Sequence, residues 1–475
     1  MSNPVKLAFK AEMATARAAR LTGDLELAVH HLERAHIIGQ RYFFAHLITH
    51  LHMLRIAARR AQFREIGGQL TRLLAVGPGY LSGWVPVGNP GSARVSAIKP
   101  MPVPDDLQVH FKGYSLKREM GIWAALFVLV ALTAAGLALL RHANGVAAVE
   151  QAWKTTKVAR LADFGSTKSL EIIPLVNWHA QSGKFKTEAG VSYLVKTDRN
   201  TILFDVGWNA LREDPSPLQH NMRELGVALS HVDTIFLSHA HRDHTGGQDW
   251  VDANTFSLGK AQVDLRGKRV FAPVPLTYPG VAVTTIAHPA PLLPGVASTG
   301  PIARRLFMGL VEEQALVINV EGKGLVVIVG CGHQTLPKLV KRLEEAFGVP
   351  VYGLVGDVHY PVPQGRLFAG GLDLQKRFAS GNGFFSPITI DDINADMALL
   401  EKKKLGILAL GSHDTSDEAI VHAERRFGDA FHRVSVGTPI RIGHRSKSMP
   451  LTSSSRPLIG AAEGRQLTIP YDAHF

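Results

Sequence analysis

One stretch, from Asp233 to Gly247, constrains this chain more than any other: D-T-I-F-L-S-H-A-H-R-D-H-T-G-G. Its apolar, β-branched beginning predicts a buried strand. Four metal-competent side chains follow the strand within six residues: His239, His241, Asp243 and His244. Three imidazoles and a carboxylate suit zinc, with iron or manganese as alternatives. The first two histidines can reach one ion, and the Asp-His pair points to a second. A histidine-rich surface loop is disfavoured, because candidate partner ligands follow other apolar strands downstream.

Length and charge limit the organisation of the chain. Its 475 residues exceed one ordinary domain, so two or three folded units are expected. Residues 1–120 hold 16 Lys/Arg and 8 Asp/Glu, which accounts for +8 of the net charge of +12. These basic residues are scattered along predicted helices, so no nucleic-acid partner is expected. The single cysteine, Cys331, excludes an internal disulfide and a cysteine zinc cluster, and we expect it to pack in the interior.

Residues 1–76 are predicted to form a small all-α domain of two helical hairpins, with Asp24 as the cap of its second helix. This segment resembles a small uncharacterised bacterial helical family, which implies no function. It holds six of the 22 histidines: His30, His31, His36, His46, His50 and His52. His46 and His50 share a helix face and could bind a metal ion. Amphipathic helices with polar or stacking histidines are favoured, because no carboxylate or cysteine completes a ligand set.

Residues 77–120 are rich in glycine and proline and are predicted to be a linker. The uncharged apolar run at 121–140 predicts one transmembrane helix, because twenty residues at about 1.5 Å each span about 30 Å of hydrocarbon. A buried helix of a soluble protein is the alternative. Three basic residues lie close before the run, and two lie close after it. This difference favours a cytoplasmic N-terminus and a periplasmic or extracytoplasmic C-terminal part. Residues 141–168 are expected to be a tether, and 445–475 a loose tail.

Between residues 169 and 444 the pattern changes to short apolar strands with helices between them. Strands are predicted at Leu170–Val176, Val191–Val195, Thr201–Phe204, Val270–Ala272, Ala315–Val320, Leu325–Val329, Val351–Val355 and Leu405–Leu410, and the segment Val434–Ile442 is expected to close the domain. Helices are predicted at Pro215–Leu225, Leu336–Phe347, Asp391–Lys404 and Ser416–Phe427. This order predicts an α+β domain in which two mixed sheets pack face to face with helices outside.

The H-x-H-x-D-H arrangement resembles the metallo-β-lactamase superfamily, and the resemblance extends from about Leu170 to Gly443. The resemblance implies an αββα sandwich that binds two divalent metal ions. It is only weak evidence for the identity of the substrate, because the fold hosts many reactions. Three further phrases are E-A-G-V-S-Y-L at 188–194, E-E-Q-A-L at 312–316 and G-L-V-V-I-V-G-C-G-H at 324–333. They resemble the branch that includes the ribofuranosylaminobenzene phosphate synthases.

The resemblance also implies roles for residues outside the histidine loop. His333 follows a strand with a glycine-rich exit, where small residues let the backbone approach the metals, and it becomes the third imidazole of the first ion. His413 matches the last ligand of the second ion. Asp205 is implied to support the histidine loop by hydrogen bonding. Asp243 is expected to bind metal and to accept the proton during catalysis.

The segment L-V-G-D-V-H-Y leaves one ligand open between Asp357 and His359. Most of the superfamily has a bridging aspartate after a glycine at this strand end, which Asp357 fits. The branch with Gly-Gly-x-His-Leu favours His359 instead. Asp357 ranks first as the bridge, with His359 as an alternative ligand or substrate contact. Asp414 is predicted to cap the next helix, since Ser416 and Asp417 lie at the same helix start.

The expected function is that of a membrane-anchored hydrolase, in which a metal-bridged hydroxide attacks a small-molecule ester, lactone, amide or phosphodiester. A transferase that acts on a phosphoribosyl-type substrate is the first alternative, with Lys184, Lys186 and His179 as candidate contacts for its anion. A non-enzymatic, membrane-tethered metal sensor is the second.

Overall fold

The computed structural model describes residues 3–82, 85–112, 116–381 and 383–443. The predicted C-terminal tail lies outside these described residues. The chain divides into two compact units, Met1–Leu139 and Leu140–Phe475.

Four helices build the N-terminal unit: α1 (Asn3–Thr22), α2 (Leu25–Gly39), α3 (Phe43–Arg59) and α4 (Phe63–Ser82). Asp24 caps α2, since its carboxylate accepts a hydrogen bond from the Leu27 N–H at 3.0 Å.

Residues 85–112 differ from the linker that we predicted, because they pack against the helices. Val85 and Leu107 are buried, and Asn89 is 1 % exposed. Turn carbonyls in this segment accept hydrogen bonds from buried side chains, such as the 2.9 Å bond from Gln69 Nε2 to the Gly91 oxygen. Glycine and proline therefore build turns here that complete the helical unit.

Helix α5 (Leu116–Thr155) contains the apolar run and is 40 residues long. Within Ala124–Thr155, an 18-residue window has a mean hydropathy of 2.2, and none of that window is buried, so it is not a core helix of the described residues. Its last turns belong to the C-terminal unit, where Glu150 Oε1 lies 2.5 Å from Lys338 Nζ. Length and composition suffice for one membrane crossing.

The C-terminal unit contains strands and helices in alternating groups. Its strands are β1 (Ser169–Val176), β2 (Ser192–Thr197), β3 (Thr201–Phe204), β4 (Thr234–Phe236), β5 (Arg269–Ala272), β6 (Val283–Thr285), β7 (Ala290–Leu293), β8 (Val296–Ser298), β9 (Ile302–Arg305), β10 (Leu310–Glu313), β11 (Leu316–Val320), β12 (Gly324–Val329), β13 (Val351–Gly356), β14 (Phe368–Ala369), β15 (Leu372–Asp373), β16 (Ile407–Leu410), β17 (Phe431–Arg433) and β18 (Ile440–Gly443). Its further helices are α6 (Pro217–Glu224), α7 (Arg242–Thr245), α8 (Gln248–Asp252), α9 (Leu336–Ala346), α10 (Leu374–Phe378), α11 (Ile390–Glu401) and α12 (Asp417–Phe427).

Two seven-stranded sheets form the predicted sandwich. Their strand orders are β18-β1-β2-β3-β4-β5-β6 and β17-β16-β13-β12-β11-β8-β7. Both sheets are mixed. In the first sheet, β1 and β2 are antiparallel while β3 and β4 are parallel. In the second sheet, β11 and β12 are antiparallel while β12 and β13 are parallel. Phe204 and Phe236 from one sheet meet Ile318 and Val326 from the other in the central core. The outer face of the second sheet packs on α9, α11 and α12, and that of the first sheet packs on α6, which confirms the predicted αββα arrangement.

The parallel strands determine where the polar loops meet. Strands β3, β4 and β5 run parallel in one sheet, and β12, β13, β16 and β17 run parallel in the other. The carboxyl ends of parallel strands lie at the same edge of their sheet, so the loops that follow them gather there. These loops carry the candidate metal ligands.

Candidate metal centre

The loop after β4 brings the first ligand candidates together. His239 is 1 % exposed, and its Nε2 lies 3.1 Å from His241 Nδ1. The ligand atoms of His239, His241 and Asp243 all lie within 4.8 Å of one another. Gly246 ends α7 at a φ of +92°, and a Cβ there would lie 2.1 Å from the Ser257 oxygen, so the turn requires glycine.

Asp205 holds this loop from the end of β3. Its Oδ1 accepts the Ser238 N–H at 2.7 Å, and its Oδ2 accepts the Ser238 hydroxyl at 2.6 Å. The same Oδ2 lies 2.6 Å from Nδ1 of His244, and both side chains are fully buried. Because Nδ1 of His244 donates to a carboxylate, Nε2 of the neutral ring keeps a lone pair for a metal ion.

His333 and His413 approach from the second sheet. The His333 ring centroid lies 5.1 Å from that of His239 and 5.0 Å from that of His241. Nε2 of His413 lies 3.1 Å from Oδ2 of Asp243. Burial lowers the pKa of His239 and of His333 well below the usual histidine value, so these neutral rings are able to coordinate a metal ion. Nδ1 of His333 is buried and has no hydrogen-bond partner among the described residues.

Asp357 and His359, both beyond β13, occupy different positions. Nδ1 of His359 lies 3.1 Å from Asp414 Oδ2, while its Nε2 is buried without a partner in the described part of the chain. The ligand atoms of His333, His359 and Asp414 lie within 4.8 Å of one another. Oδ1 of Asp357 instead accepts the Asp414 N–H at 3.2 Å, and Oδ2 lies 3.5 Å from Asn177 Nδ2. Asp357 belongs to none of the close groups of metal-competent atoms found among the described residues.

Asp414 is not the helix cap that we predicted. The Ser416 hydroxyl caps α12 by accepting the Ala419 N–H at 3.1 Å. Asp414 lies two residues too early for that position and contacts His359 instead.

The contact of Cys331 with the candidate ligands was not expected, although its burial was. Its Sγ lies 2.9 Å from His244 Nε2. The sulfur belongs both to the group of Asp243, His244 and His413 and to the group of His239 and His333. In the sequence, this contact was indicated only by the position of Cys331 in G-C-G-H, two residues before the ligand candidate His333.

Glu313, at the end of β10, was missed as a site residue. Its buried carboxylate accepts the backbone N–H groups of Cys331 and Gly332 at 3.0 Å each and of His333 at 2.7 Å. Burial raises the pKa of Glu313 to about 7. The motif E-E-Q-A-L contained this signal, since one of two adjacent glutamates on a strand must face inward. Glu313 therefore fixes the backbone that positions two members of the cluster.

We expect Glu313→Ala to lower the free energy of unfolding by about 2–4 kcal/mol, because three buried N–H groups lose their acceptor. Chemical denaturation of the full chain measures the change. Glu312→Ala is the matched control, since the neighbouring side chain is only half-buried, and it should change the stability little. Equal effects of the two substitutions would contradict the role of Glu313.

The three candidate anion contacts of the transferase alternative already have partners. Lys186 pairs with Glu213. Nε2 of His179 lies 3.3 Å from Oδ1 of Asp417. Lys184 lies over an aromatic ring, 4.8 Å from its centroid. These groups do not form an open anion pocket.

The αββα sandwich and its edge cluster of histidine, aspartate and cysteine define a domain of the metallo-β-lactamase type. Residues 186–383 match the model of the metallo-beta-lactamase superfamily. Residues 3–111 match DUF3703, a protein family of unknown function, as the N-terminal resemblance predicted.

One curated relative and two solved structures illustrate the similarity. The 7,8-dihydropterin-6-methyl-4-(beta-D-ribofuranosyl)-aminobenzene-5'-phosphate synthase of Methanocaldococcus jannaschii is 24% identical over 244 residues, which cover 42% of this chain and 80% of the relative. A metal-dependent hydrolase of the beta-lactamase superfamily has a TM-score of 0.40 at 20% identity, with 58% of this chain and 100% of that chain covered. The metallo-beta-lactamase fold protein YhfI from Bacillus subtilis has a TM-score of 0.35 at 14% identity, with 58% and 99% covered.

Proposed function

We propose that the C-terminal unit is a dinuclear metal-dependent hydrolase that acts on a small-molecule ester, lactone, amide or phosphodiester. The observation that carries the proposal is the overlap of the candidate ligand groups. Asp243 links the group of His239 and His241 to that of His244 and His413, and these five side chains exceed the four ligands of one tetrahedral zinc ion. Bound divalent ions, with zinc as the best match to these ligands, supply an activated water and polarise the substrate oxygen.

The proposed ligand sets follow the two halves of the cluster. His239, His241 and His333 hold the first ion, with His359 as a further ligand beside His333. Asp243, His244 and His413 hold the second ion. Asp205 and Glu313 orient these ligands through the hydrogen bonds described above. Asp243 also accepts the proton of the attacking water, because its carboxylate lies between the two groups.

Metal content tests the dinuclear proposal. We expect the full-length chain, purified in detergent and supplied with zinc, to hold two more ions per chain than the variant His241→Ala/His413→Ala. One ligand of each proposed ion is removed in that variant. The control is His220→Ala/His422→Ala, since these two histidines lie outside every close group of metal-competent atoms in the described residues. A difference of one ion or none would rule out two ions.

Turnover tests the hydrolase. The metal-loaded chain is assayed with a lactone, a carboxylic ester, an amide, a β-lactam and a phosphodiester. Hydrolysis of any of them that is lost in His241→Ala/His413→Ala supports the proposal. Two bound ions without any turnover would favour the metal sensor instead.

A transferase is the second candidate, and the match to the ribofuranosylaminobenzene phosphate synthase favours it. The engagement of Lys186 and His179 with carboxylates speaks against it. Transfer from a phosphoribosyl donor to an amine or carbon acceptor, without release of the free acid or alcohol, would replace the hydrolase proposal.

We also propose that α5 anchors the chain in a membrane, with the C-terminal unit on the periplasmic or extracytoplasmic side. The apolar window of the helix, none of which is buried, supports the anchor. The protein should stay with the membrane pellet after carbonate extraction, and added protease should cut the C-terminal unit in intact spheroplasts. Release by carbonate would refute the anchor. Protection of the C-terminal unit while a periplasmic control is cut would reverse the orientation.

A further inference from the structure

Three histidines of the N-terminal unit converge on one buried point. His36 lies on α2, and His46 and His50 lie on α3. Nε2 of His50 is 3.2 Å from Nε2 of His36 and 3.0 Å from Nε2 of His46. The three side chains are 2 %, 9 % and 2 % exposed in chain order, so water does not surround the nitrogens.

The protonation of His36 follows from its neighbour. Its Nδ1 lies 2.8 Å from the backbone oxygen of Asn89. A carbonyl oxygen only accepts hydrogen bonds, so Nδ1 carries the proton. Nε2 of the neutral ring therefore has a free lone pair, which faces His50.

The protonation of His50 is fixed through Gln69. The Gln69 Nε2 donates to Glu65 Oε1 at 2.7 Å and to the Gly91 oxygen at 2.9 Å, which determines the orientation of the amide. Its Oε1 then faces Nδ1 of His50 at 2.7 Å and accepts a hydrogen bond from it. Nε2 of His50 also keeps a free lone pair, so two lone pairs oppose each other at 3.2 Å.

Neither tautomer of His46 relieves this opposition. If its Nε2 donates to His50, Nδ1 is left buried without a partner in the described residues, and the lone pairs of His36 and His50 still repel. If its Nδ1 carries the proton, three lone pairs converge. A proton shared within the cluster is disfavoured as well, because it would place an unpaired charge among side chains that are at most 9 % exposed. The cluster needs a different cation.

We propose that Nε2 of His36, His46 and His50 together bind one zinc-like divalent transition-metal ion. Three neutral imidazoles are a common zinc ligand set. Zn–N bonds of about 2.0–2.1 Å in a tetrahedron separate the nitrogens by about 3.3 Å, close to the distances observed here. Asn89 and Gln69 provide the outer hydrogen bonds that orient metal-binding imidazoles.

The residues around the three histidines also fit a metal-binding site. A Cβ at Gly91 would lie 2.7 Å from the His36 ring, so this glycine provides the space for the imidazole. The carboxylate of Glu65, one hydrogen bond beyond Gln69, offsets part of the charge of a divalent ion. The third ligand comes from a neighbouring helix, which is why the i, i+4 pair alone did not reveal the set.

Metal analysis in a background that lacks the proposed catalytic ions tests this site. The full-length His241→Ala/His413→Ala chain should still hold about one zinc ion, and the addition of His46→Gln should remove it. His52→Gln, on the same helix but outside the cluster, is the control and should retain the ion. No zinc in the background chain, or an unchanged content after His46→Gln, would overturn the proposal.

Cobalt substitution gives a second measurement, independent of activity. The Co²⁺-loaded background chain should show the visible absorption of a tetrahedral ion, and His36→Gln or His46→Gln should abolish it while circular dichroism stays unchanged. Gln69→Leu should weaken binding about 10–100-fold, because it removes only the orienting hydrogen bond. If His36→Gln fails to fold, the result with His46→Gln tests the site, because His46 is the most exposed of the three histidines and its substitution should disturb the packing least. An octahedral spectrum that none of these changes affects would mean that the ion binds elsewhere.

Discussion

Asp243→Asn is expected to lower kcat/KM of the metal-loaded chain by about 10³-fold or more, which corresponds to about 4 kcal/mol of transition-state stabilisation. The carboxylate of Asp243 lies 3.1 Å from Nε2 of His413 and belongs to two of the close groups of metal-competent atoms, that of His239 and His241 and that of His244 and His413. The amide keeps the size of the side chain but loses the negative charge. It therefore weakens binding of the second ion and removes the proposed proton acceptor together. The most active substrate of the panel provides the assay, and elemental analysis should show about one ion fewer.

Asp249→Asn is the matched control for this substitution. Asp249 lies on the neighbouring helix α8 and forms an exposed ion pair with Arg212. Its loss should change neither activity nor metal content, because exposed ion pairs contribute little. If Asp243→Asn keeps both ions and most of the activity, then Asp243 is not a ligand, and the proton acceptor has to be sought elsewhere in the cluster.

Much of the sandwich could be predicted because its strands are continuous apolar runs. The predicted strand Thr201–Phe204 has the observed bounds, and the predicted helix Leu336–Phe347 differs from α9 by one residue. The histidine loop was equally evident, since four metal-competent residues follow one buried strand. Such features depend on neighbours in sequence, which patterns describe well.

Other features depend on partners far away in sequence. Strands β6 and β9 were missed, because their residues are partly exposed and lack a long apolar run. The Glu313 carboxylate accepts a hydrogen bond from the Cys331 N–H, although the two residues are 18 positions apart in the sequence. His36 and His50 meet across two helices, and only the fold brings their nitrogens together. No local spacing encodes these contacts.

His359→Ala is expected to remove a metal ion and nearly all activity, whereas Asp357→Asn should keep the metal. Sequence ranked these two residues in the opposite order, but the distances favour His359. Its Nε2 is buried without a partner among the described residues, and Asp414 lies at hydrogen-bond distance from its Nδ1. A carboxylate that orients an imidazole in this way is the usual support of a metal-binding histidine.

Asp357 has a different set of contacts. Its Oδ1 accepts the backbone N–H of Asp414, so it holds the loop that carries His413. Asparagine preserves that acceptor and loses only the carboxylate charge, so Asp357→Asn should leave the metal content unchanged and lower the free energy of unfolding by no more than about 1–3 kcal/mol. Elemental analysis and denaturation of both variants separate the two roles. Loss of an ion from Asp357→Asn, together with full metal content in His359→Ala, would make Asp357 the bridging ligand and leave His359 to contact the substrate.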